Sequence, residues 1–407
     1  MAKKTLADLR DLTGKRVLVR VDFNVAIKPK QPTTRDEAVI TDDTRIRAAL
    51  PTIRDLREKG AKVILMSHLG RPDGQVVEGL RLDVVAKRLS ELLGVPVHKV
   101  DDCIGPDVEA AIATMQPGNV VLLENVRFHL EEEAKDDSIR LPFAQKLAAL
   151  GDVYVNDAFG TAHRDHASTA SIARYLHPAV AGFLMAKEIE TLGKALDHPE
   201  RPFVTILGGA KVKDKLKLIN HMIGKVDVLL IGGGMAYTFY KAKGYEIGKS
   251  LLDAERIDAV RQMLENAAGQ HTELVLPVDN IIAQDAVETA ETRVVTPDAI
   301  PADWEGLDIG PQTVALFTEY IKNAKLVVWN GPMGLFEVPT FAHGTAAIAD
   351  AMATTNAFTI IGGGDSAAAV TQMGYADKID FISTGGGASL EFLEGTPLPG
   401  VVALDDK

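Results

Sequence analysis

The sequence predicts an α/β protein made of two halves, each a parallel sheet flanked by helices, with a helix joining them. Three observations carry that prediction. Apolar runs of strand length alternate with amphipathic stretches of helical period from end to end, the pattern of parallel sheets covered on both faces. The runs change character midway, ending in charged or hydrogen-bonding residues in the first half and in glycines in the second. The chain, at 407 residues, is also too long for one ordinary core.

In the first half the expected strands are RVLVRVDFN (16–24), KVILMSHLGR (62–71), VVLLENVRF (120–128) and VYVNDAFG (153–160). Residues 27–41 are rich in Pro, Thr and charge and read as a surface loop. The following stretch, 41–60, has helical spacing, with Ile46, Ala49 and Leu50 on its buried side and Thr41 or Thr44 as its cap. Arg45 then lies near a helix N-terminus, whose dipole adds to its positive field. Residues 178–202 carry Met185, Ile189, Leu192 and Leu196 at helical spacing and stop at His198-Pro199, which reads as a connecting helix. The second half gives strands at 203–211, 228–236, 326–334, 358–366 and 381–389. The last residues, EGTPLPGVVALDDK, form a Pro/Gly tail whose apolar patch is expected to pack back on the body.

Composition excludes several classes. The net charge of −12 argues against general nucleic-acid binding, which needs a basic surface. No apolar run reaches the ~18 residues that would span a bilayer, and the start lacks a signal peptide's apolar centre, so a cytoplasmic protein is expected. The single cysteine, Cys103, permits no internal disulfide and fits a reducing compartment.

Ligands of open α/β sheets bind beyond the carboxyl ends of the strands. There the first half offers Arg20, Asp22, Asn24, His68, Arg71, Arg127, His163, Arg164 and His166, a set suited to a small, multiply anionic substrate. The His163/His166 pair lacks carboxylate or cysteine neighbours and reads as anion contact rather than a zinc site. The second half offers bare backbone. FTIIGGGDSAAAV (358–370) breaks from strand through glycines into helix, an arrangement that holds phosphate with backbone N–H groups. It is not a Walker A loop; the nearest candidate, GYEIGKS (244–250), has three residues where four are needed. Gly362, Gly364 and Ala367 satisfy the looser dinucleotide pattern, so a nicotinamide-dependent dehydrogenase stands as an alternative. Lys211 and Lys215, after Gly208-Gly209, would share one side of a helix and reach a phosphate chain together. Asp365 would repel phosphate unless a cation intervened, which points to Mg²⁺ on a nucleotide, although the same side chain could simply cap its helix.

The ordered segments RVDFN, SHLGRP, ENVRF, NDAFGTAHRDHAST, GGAKVKDK, VWNGPMGLFE, GGGDSAAAV and STGGGASLEFLEG strongly resemble the phosphoglycerate kinase family over essentially the whole chain. The resemblance implies two Rossmann-like lobes: 1–178 for 3-phosphoglycerate or 1,3-bisphosphoglycerate, with the tail 392–407 packed on it, a linker helix and hinge at 179–201, and 202–391 for MgATP or MgADP. It implies a substrate set of Asp22, Phe23, Asn24, His68, Leu69, Gly70, Arg71, Arg127 and Arg164, with Arg45 reaching the transferred phosphoryl group. It implies Lys211 following that group, Lys215 on the nucleotide phosphates, and Gly363 and Gly386 beside the reaction. The remaining nucleotide contacts it implies are Gly209, Gly233, Asn330, Pro332, Glu337 at the ribose, Gly364 and Ser366, with Asp365 holding magnesium. A monomer is expected, as is usual in the family. Two departures stand beside the substrate site: the segment between Asn24 and Arg45 is longer than usual, and Ala26 replaces a common proline.

Overall fold

The computed structural model describes residues 2–29, 33–35 and 37–407. They form two compact units, Met1–Glu190 with Pro397–Lys407 and Thr191–Thr396. No helix among the described residues is long and apolar enough to cross a membrane.

The first unit contains β1 (Arg16–Arg20), β2 (Ala26–Lys28), β3 (Val39–Asp42), α1 (Thr44–Glu58), β4 (Lys62–Met66), α2 (Asp83–Leu93), β5 (Val97–Lys99), α3 (Pro106–Ala113), β6 (Val120–Leu122), α4 (Asp137–Ala148), β7 (Val153–Asn156) and β8 (Ala179–Ala181). Six strands make one parallel sheet in the order β5-β6-β4-β1-β7-β8. One face packs Val17, Val19, Val63, Leu65, Val120 and Val155 against Ile46, Ile53 and Leu56 of α1 and Val85 and Leu89 of α2. Each such side chain, fully buried, contributes about 1.5–3 kcal/mol, so this face fixes where the strands end. Those ends carry the site.

Three expectations for this unit need correction. Residues 27–41 are not all loop: β2 and β3 pair as an antiparallel ribbon, with Lys30, Gln31, Pro32 and Asp36 outside the described residues. The Pro/Thr-rich composition masked it because the strands are short and half exposed. Neither Thr41 nor Thr44 caps α1: the N-cap position is Asp43, without a side-chain cap bond, and Asp42 just before it accepts through Oδ1 from Thr44 N at 2.9 Å and Thr44 Oγ1 at 2.6 Å. The connecting helix is shorter than 178–202, because residues 179–181 pair with β7 as the edge strand β8.

That helix, α5 (Phe183–Asp197), leads from the first unit to the second. Its first N–H groups are held by buried side chains: Phe183 N donates to Thr52 Oγ1 at 2.9 Å, and Leu184 N and Met185 N to Asp157 Oδ1 at 2.9 and 3.2 Å. Burial pushes the Asp157 carboxyl up to about 6, against the opposing pull of those bonds. The tail returns to the first unit, where Asp405 N donates to Ala179 O, Lys4 N to Asp405 O and Gly400 N to Ala162 O.

The second unit contains β9 (Phe203–Leu207), α6 (Leu216–Met222), β10 (Val228–Ile231), α7 (Ala236–Ala242), α8 (Ile257–Ala268), β11 (Glu273–Val275), β12 (Asn280–Ala283), β13 (Arg293–Val295), β14 (Glu305–Ile309), α9 (Pro311–Asn323), β15 (Leu326–Asn330), α10 (His343–Thr354), β16 (Phe358–Ile361), α11 (Gly364–Gln372), β17 (Phe381–Ile382) and α12 (Gly387–Leu393). Its parallel sheet runs β11-β10-β9-β15-β16-β17, and β13-β12-β14 form a separate antiparallel sheet. The strand order reverses between β9 and β15, the place where open sheets leave a crevice.

Candidate functional site

In the first unit the site grows from the ends of β1, β4, β6 and β7. Beyond β1, Phe23 is fully buried and its N–H donates to Ser67 Oγ at 2.9 Å, with buried Asp22 and half-buried Asn24 on either side of it. The side chains of Phe23 and Leu69 both lie in the core. Asn24 Oδ1 accepts from Gly70 N, and Arg127 Nη1 donates to Gly70 O, each at 2.9 Å. Gly70 sits between them at φ +66°, a conformation few side-chain-bearing residues adopt. Arg45 Nη1 meets Asp22 Oδ2 at 2.6 Å, which brings the start of α1 to the end of β1.

A buried network supports these groups. Arg20 Nη2 lies 3.2 Å from His68 Nδ1, Arg20 Nε donates to Ser168 Oγ at 2.8 Å, and Ser168 Oγ donates to Glu132 Oε1 at 2.6 Å. Because a guanidinium can only donate, His68 Nδ1 is the acceptor and its proton sits on Nε2. Burial, then Arg20, Arg127, Arg45 and His166, hold His68 well below its usual range, so it is neutral. Burial and the arginines likewise push His166 down to about 3. Arg127 also pairs with Glu133 at 3.0 Å, while its buried Nε has no hydrogen-bond partner among the described residues. Arg164 is exposed but close enough to add its field at Arg127 and His166. Arg71 is exposed, and no contact among the described residues ties it to the others. Arg20 and His166 stand in this cluster although the resemblance did not mark them; Arg20 ends β1, and His166 lies in the loop beyond β7, which was the available signal.

In the second unit Gly209, Lys211, Lys215, Asn330, Pro332, Gly363, Gly364, Asp365, Ser366 and Gly386 line one cavity of about 370 Å³. Gly208, Ala210, Asp214, Gly331, Gly387 and Leu390 complete it. Gly208 and Gly331 adjoin residues already singled out, whereas Leu390 reaches the cavity by standing one turn along α12 from Gly387, which only the fold reveals.

Close backbone contact shapes the wall. A Cβ on Gly208 would fall 2.0 Å from Pro332 O, and one on Gly233 would fall 2.7 Å from Gly209 N. Gly233 therefore does not line the cavity; it lets three loops meet behind it. Ser366 Oγ accepts from Gly331 N at 2.6 Å and ties β15 to α11. Lys215 Nζ donates to Asn330 Oδ1, and the buried Asn330 Nδ2 beneath Gly363 has no partner among the described residues. Burial lowers the Lys215 ammonium.

The expected helical pairing of Lys211 and Lys215 is not what brings them together. Lys211 is extended, a 3₁₀ turn (Val212–Asp214) follows, and α6 begins only at Leu216. Both lysines still line the cavity, at opposite ends of that turn. Asp365 does not cap α11, because it lies inside the first turn and its carboxylate accepts no hydrogen bond from the described residues. Glu337 is exposed and outside the cavity lining.

The phosphoglycerate kinase family model matches residues 6–396. Curated phosphoglycerate kinases of Moorella thermoacetica and Dictyoglomus turgidum are each 58% identical, over 100% of this chain and 100% of theirs. The solved phosphoglycerate kinase of Coxiella burnetii superimposes with a TM-score of 0.87 at 41% identity, covering 99% of this chain and 98% of its own. That of Pyrococcus horikoshii gives 0.82 at 34% identity, covering 98% of each. These likenesses overturn the dehydrogenase alternative. The chain belongs to the phosphoglycerate kinase family, the kinases that pass a phosphoryl group reversibly between ATP and the carboxylate of 3-phosphoglycerate.

Proposed function

We propose that the first unit binds 3-phosphoglycerate or 1,3-bisphosphoglycerate through Asp22, Asn24, His68, Arg71, Arg127 and Arg164, and that the second binds ATP or ADP in its glycine-lined cavity. The observation that carries this reading is the cavity at the β9/β15 switch point, walled by glycine backbone and flanked by Lys211, Lys215 and Asp365. In it Gly363, Gly364 and Gly386 present N–H groups to phosphate, Lys215 and Asn330 hold the chain of phosphates, and Glu337 reaches the ribose from the loop after β15.

Asp365 fits a magnesium ion: it is a single carboxylate, without a protein partner, at the phosphate end of a helix, and Mg²⁺ binds through one or two carboxylates plus phosphate oxygens. Bound there, the ion would neutralise charge on the nucleotide phosphates.

The chemistry follows from charge. A carboxylate oxygen of 3-phosphoglycerate forms a bond to the γ-phosphorus as the bond to the β,γ-bridging oxygen breaks, and that oxygen leaves with ADP. The attacking carboxylate is already ionised at neutral pH, so no general base is required. The barrier falls through in-line positioning and neutralisation of the equatorial oxygens, the work of Arg45, Lys211 and the glycine N–H groups. Arg45, now on Asp22, exchanges that partner for the phosphoryl group. Because the two ligand sets belong to separate units, transfer requires hinge motion around α5 that brings the ligands together and excludes water. In this reading the enzyme works as a cytoplasmic monomer.

The test is a coupled assay with MgATP and 3-phosphoglycerate, in which glyceraldehyde-3-phosphate dehydrogenase consumes the acyl phosphate and NADH is followed. Turnover should require both substrates and magnesium. A folded protein that binds MgATP but does not turn over would sink the assignment of the first unit. X-ray scattering should also give a smaller radius of gyration with both substrates than without, and equal radii would remove the hinge.

A further inference from the structure

Beneath the loop that runs from Gly331 to Glu337 lies β14, and one of its side chains, Asp308, is only 2% exposed. Asp308 Oδ2 accepts from Gly344 N at 2.7 Å and Oδ1 from Ile309 N at 2.9 Å, and His343 N is a further donor to the carboxylate. The first turn of α10 therefore stands on a carboxylate, which satisfies donors a helix start leaves open and opposes its dipole.

The same carboxylate is pressed against the loop. A Cβ added to Gly334 would fall 2.3 Å from Asp308 Oδ1 and 2.8 Å from Leu307 O, and one added to Gly344 would fall 2.3 Å from Oδ1. Alongside, Leu335 N donates to Leu307 O at 2.9 Å, and Met333 N to Thr345 Oγ1 at 3.0 Å. The loop bearing Pro332 and Glu337 is thus fixed from below by Leu307, Asp308 and Thr345, and none of the three lines the cavity.

We propose that Asp308 is a positioning residue for the nucleotide: its carboxylate sets the start of α10 and the Gly331–Glu337 loop in one register, and so sets where ATP or ADP is gripped. The proposal rests on the reading above that this loop contacts the nucleotide. An asparagine has the same shape but one acceptor oxygen where the carboxylate has two, so one backbone N–H among Ile309, His343 and Gly344 would face an amide N–H instead.

The test is steady-state kinetics and MgADP calorimetry on Asp308→Asn and Glu337→Ala. Asp308→Asn should raise KM for MgATP and Kd for MgADP about tenfold, the loss of one buried backbone hydrogen bond, while KM for 3-phosphoglycerate stays put. A role confined to folding would instead lower the active fraction and leave both KM values alone. Unchanged nucleotide constants in folded Asp308→Asn overturn the proposal. Glu337→Ala then separates the two ideas: if it alone weakens MgATP, the loop keeps its role without Asp308; if neither variant does, the loop assignment itself falls. Should Asp308→Asn fail to fold, Asp308→Ser, which keeps one acceptor without bulk, must show the same selective rise, and its absence is equally decisive.

Discussion

In the proposed reading the first unit meets its anion with side chains, Asn24, His68, Arg127 and Arg164, whereas the second meets it mainly with the backbone of glycines that line one cavity together with Lys211 and Lys215. The two solutions carry different burdens. Clustered cations must be held apart and oriented, hence the buried Arg20–Ser168–Glu132 chain and two histidines kept neutral among arginines. Bare backbone needs no such counterweight but demands contact so close that a single methyl group at Gly208 or Gly233 would strike another loop's main chain. Side chains suit a small, rigid acid read by shape and charge; glycines suit a phosphate chain that must lie along the protein and leave again.

The comparison predicts where substitutions separate binding from turnover. The largest effect belongs to Arg45→Ala, which removes the side chain expected at the transferred group. Turnover should fall on the order of 10³-fold, as when an arginine finger is lost, while MgADP affinity in calorimetry stays unchanged. Normal turnover would remove Arg45 from the reaction. Asp365→Asn should act only through the second unit: the magnesium concentration for half-maximal rate should rise by on the order of tenfold, with KM for 3-phosphoglycerate untouched. Equal magnesium requirements in variant and wild type would place the ion elsewhere.

Mild acid should strain the two units in opposite directions. His166 titrates at about 3 in the fold against 6.5 when free, so the stability its neutral form supports is complete above pH 6.5 and is lost as pH falls toward 3. Asp308 is pushed up to about 7 by burial against 3.8, so its folded form is favoured below pH 3.8 and loses ground as pH rises to 7. Asp157, raised by burial to about 6 in the first unit, gains stability over the same range and offsets part of the His166 loss, so between pH 7 and 5 the first unit should weaken relative to the second by on the order of 3 kcal/mol. Hydrogen exchange of β1 and β7 amides reads the first unit. Fluorescence of Trp304 and Trp329, both in the second, reads the other. His166→Gln should flatten the first trend, and a trend unchanged in that variant assigns the acid sensitivity to other groups.

What the sequence revealed follows the same division. The long apolar runs that became β1, β4, β6, β7, β9, β10, β15 and β16 were legible because they are continuous and end in conspicuous residues. The edge strands β5, β8 and β11 have three residues each, too few to carry a period, and the antiparallel β12–β14 sheet follows a polar, loop-like stretch. Within the sites, motifs located the residues but not the means of holding them. Lys211 and Lys215 stand at the two ends of a 3₁₀ turn rather than along a helix, and the start of α1 is held by Asp42, ahead of the N-cap position, rather than by a threonine. Gly233, expected at the nucleotide, lies outside the cavity lining and packs its backbone against Gly209 and Pro332. Such distinctions depend on atoms brought together from distant segments, which no local pattern encodes.

The smallest expected effect tests the contrast most directly. Raising ionic strength shortens the Debye length from about 10 Å at 0.1 M to about 3 Å at 1 M and screens exposed charges while hardly touching short backbone hydrogen bonds. Arg71 and Arg164 are exposed, and Arg45 is half-buried, so the first unit attracts its substrate partly through solvent. It must do so against a net charge of −12 on the whole chain. In the proposed reading much of the grip in the second unit comes from N–H groups that carry no net charge. Raising monovalent salt from 0.1 to 0.5 M should accordingly raise KM for 3-phosphoglycerate about fivefold and KM for MgATP less than about twofold. If both constants climb together, the lysines and not the glycines dominate the nucleotide site, and the division between side-chain and backbone recognition fails at the second unit.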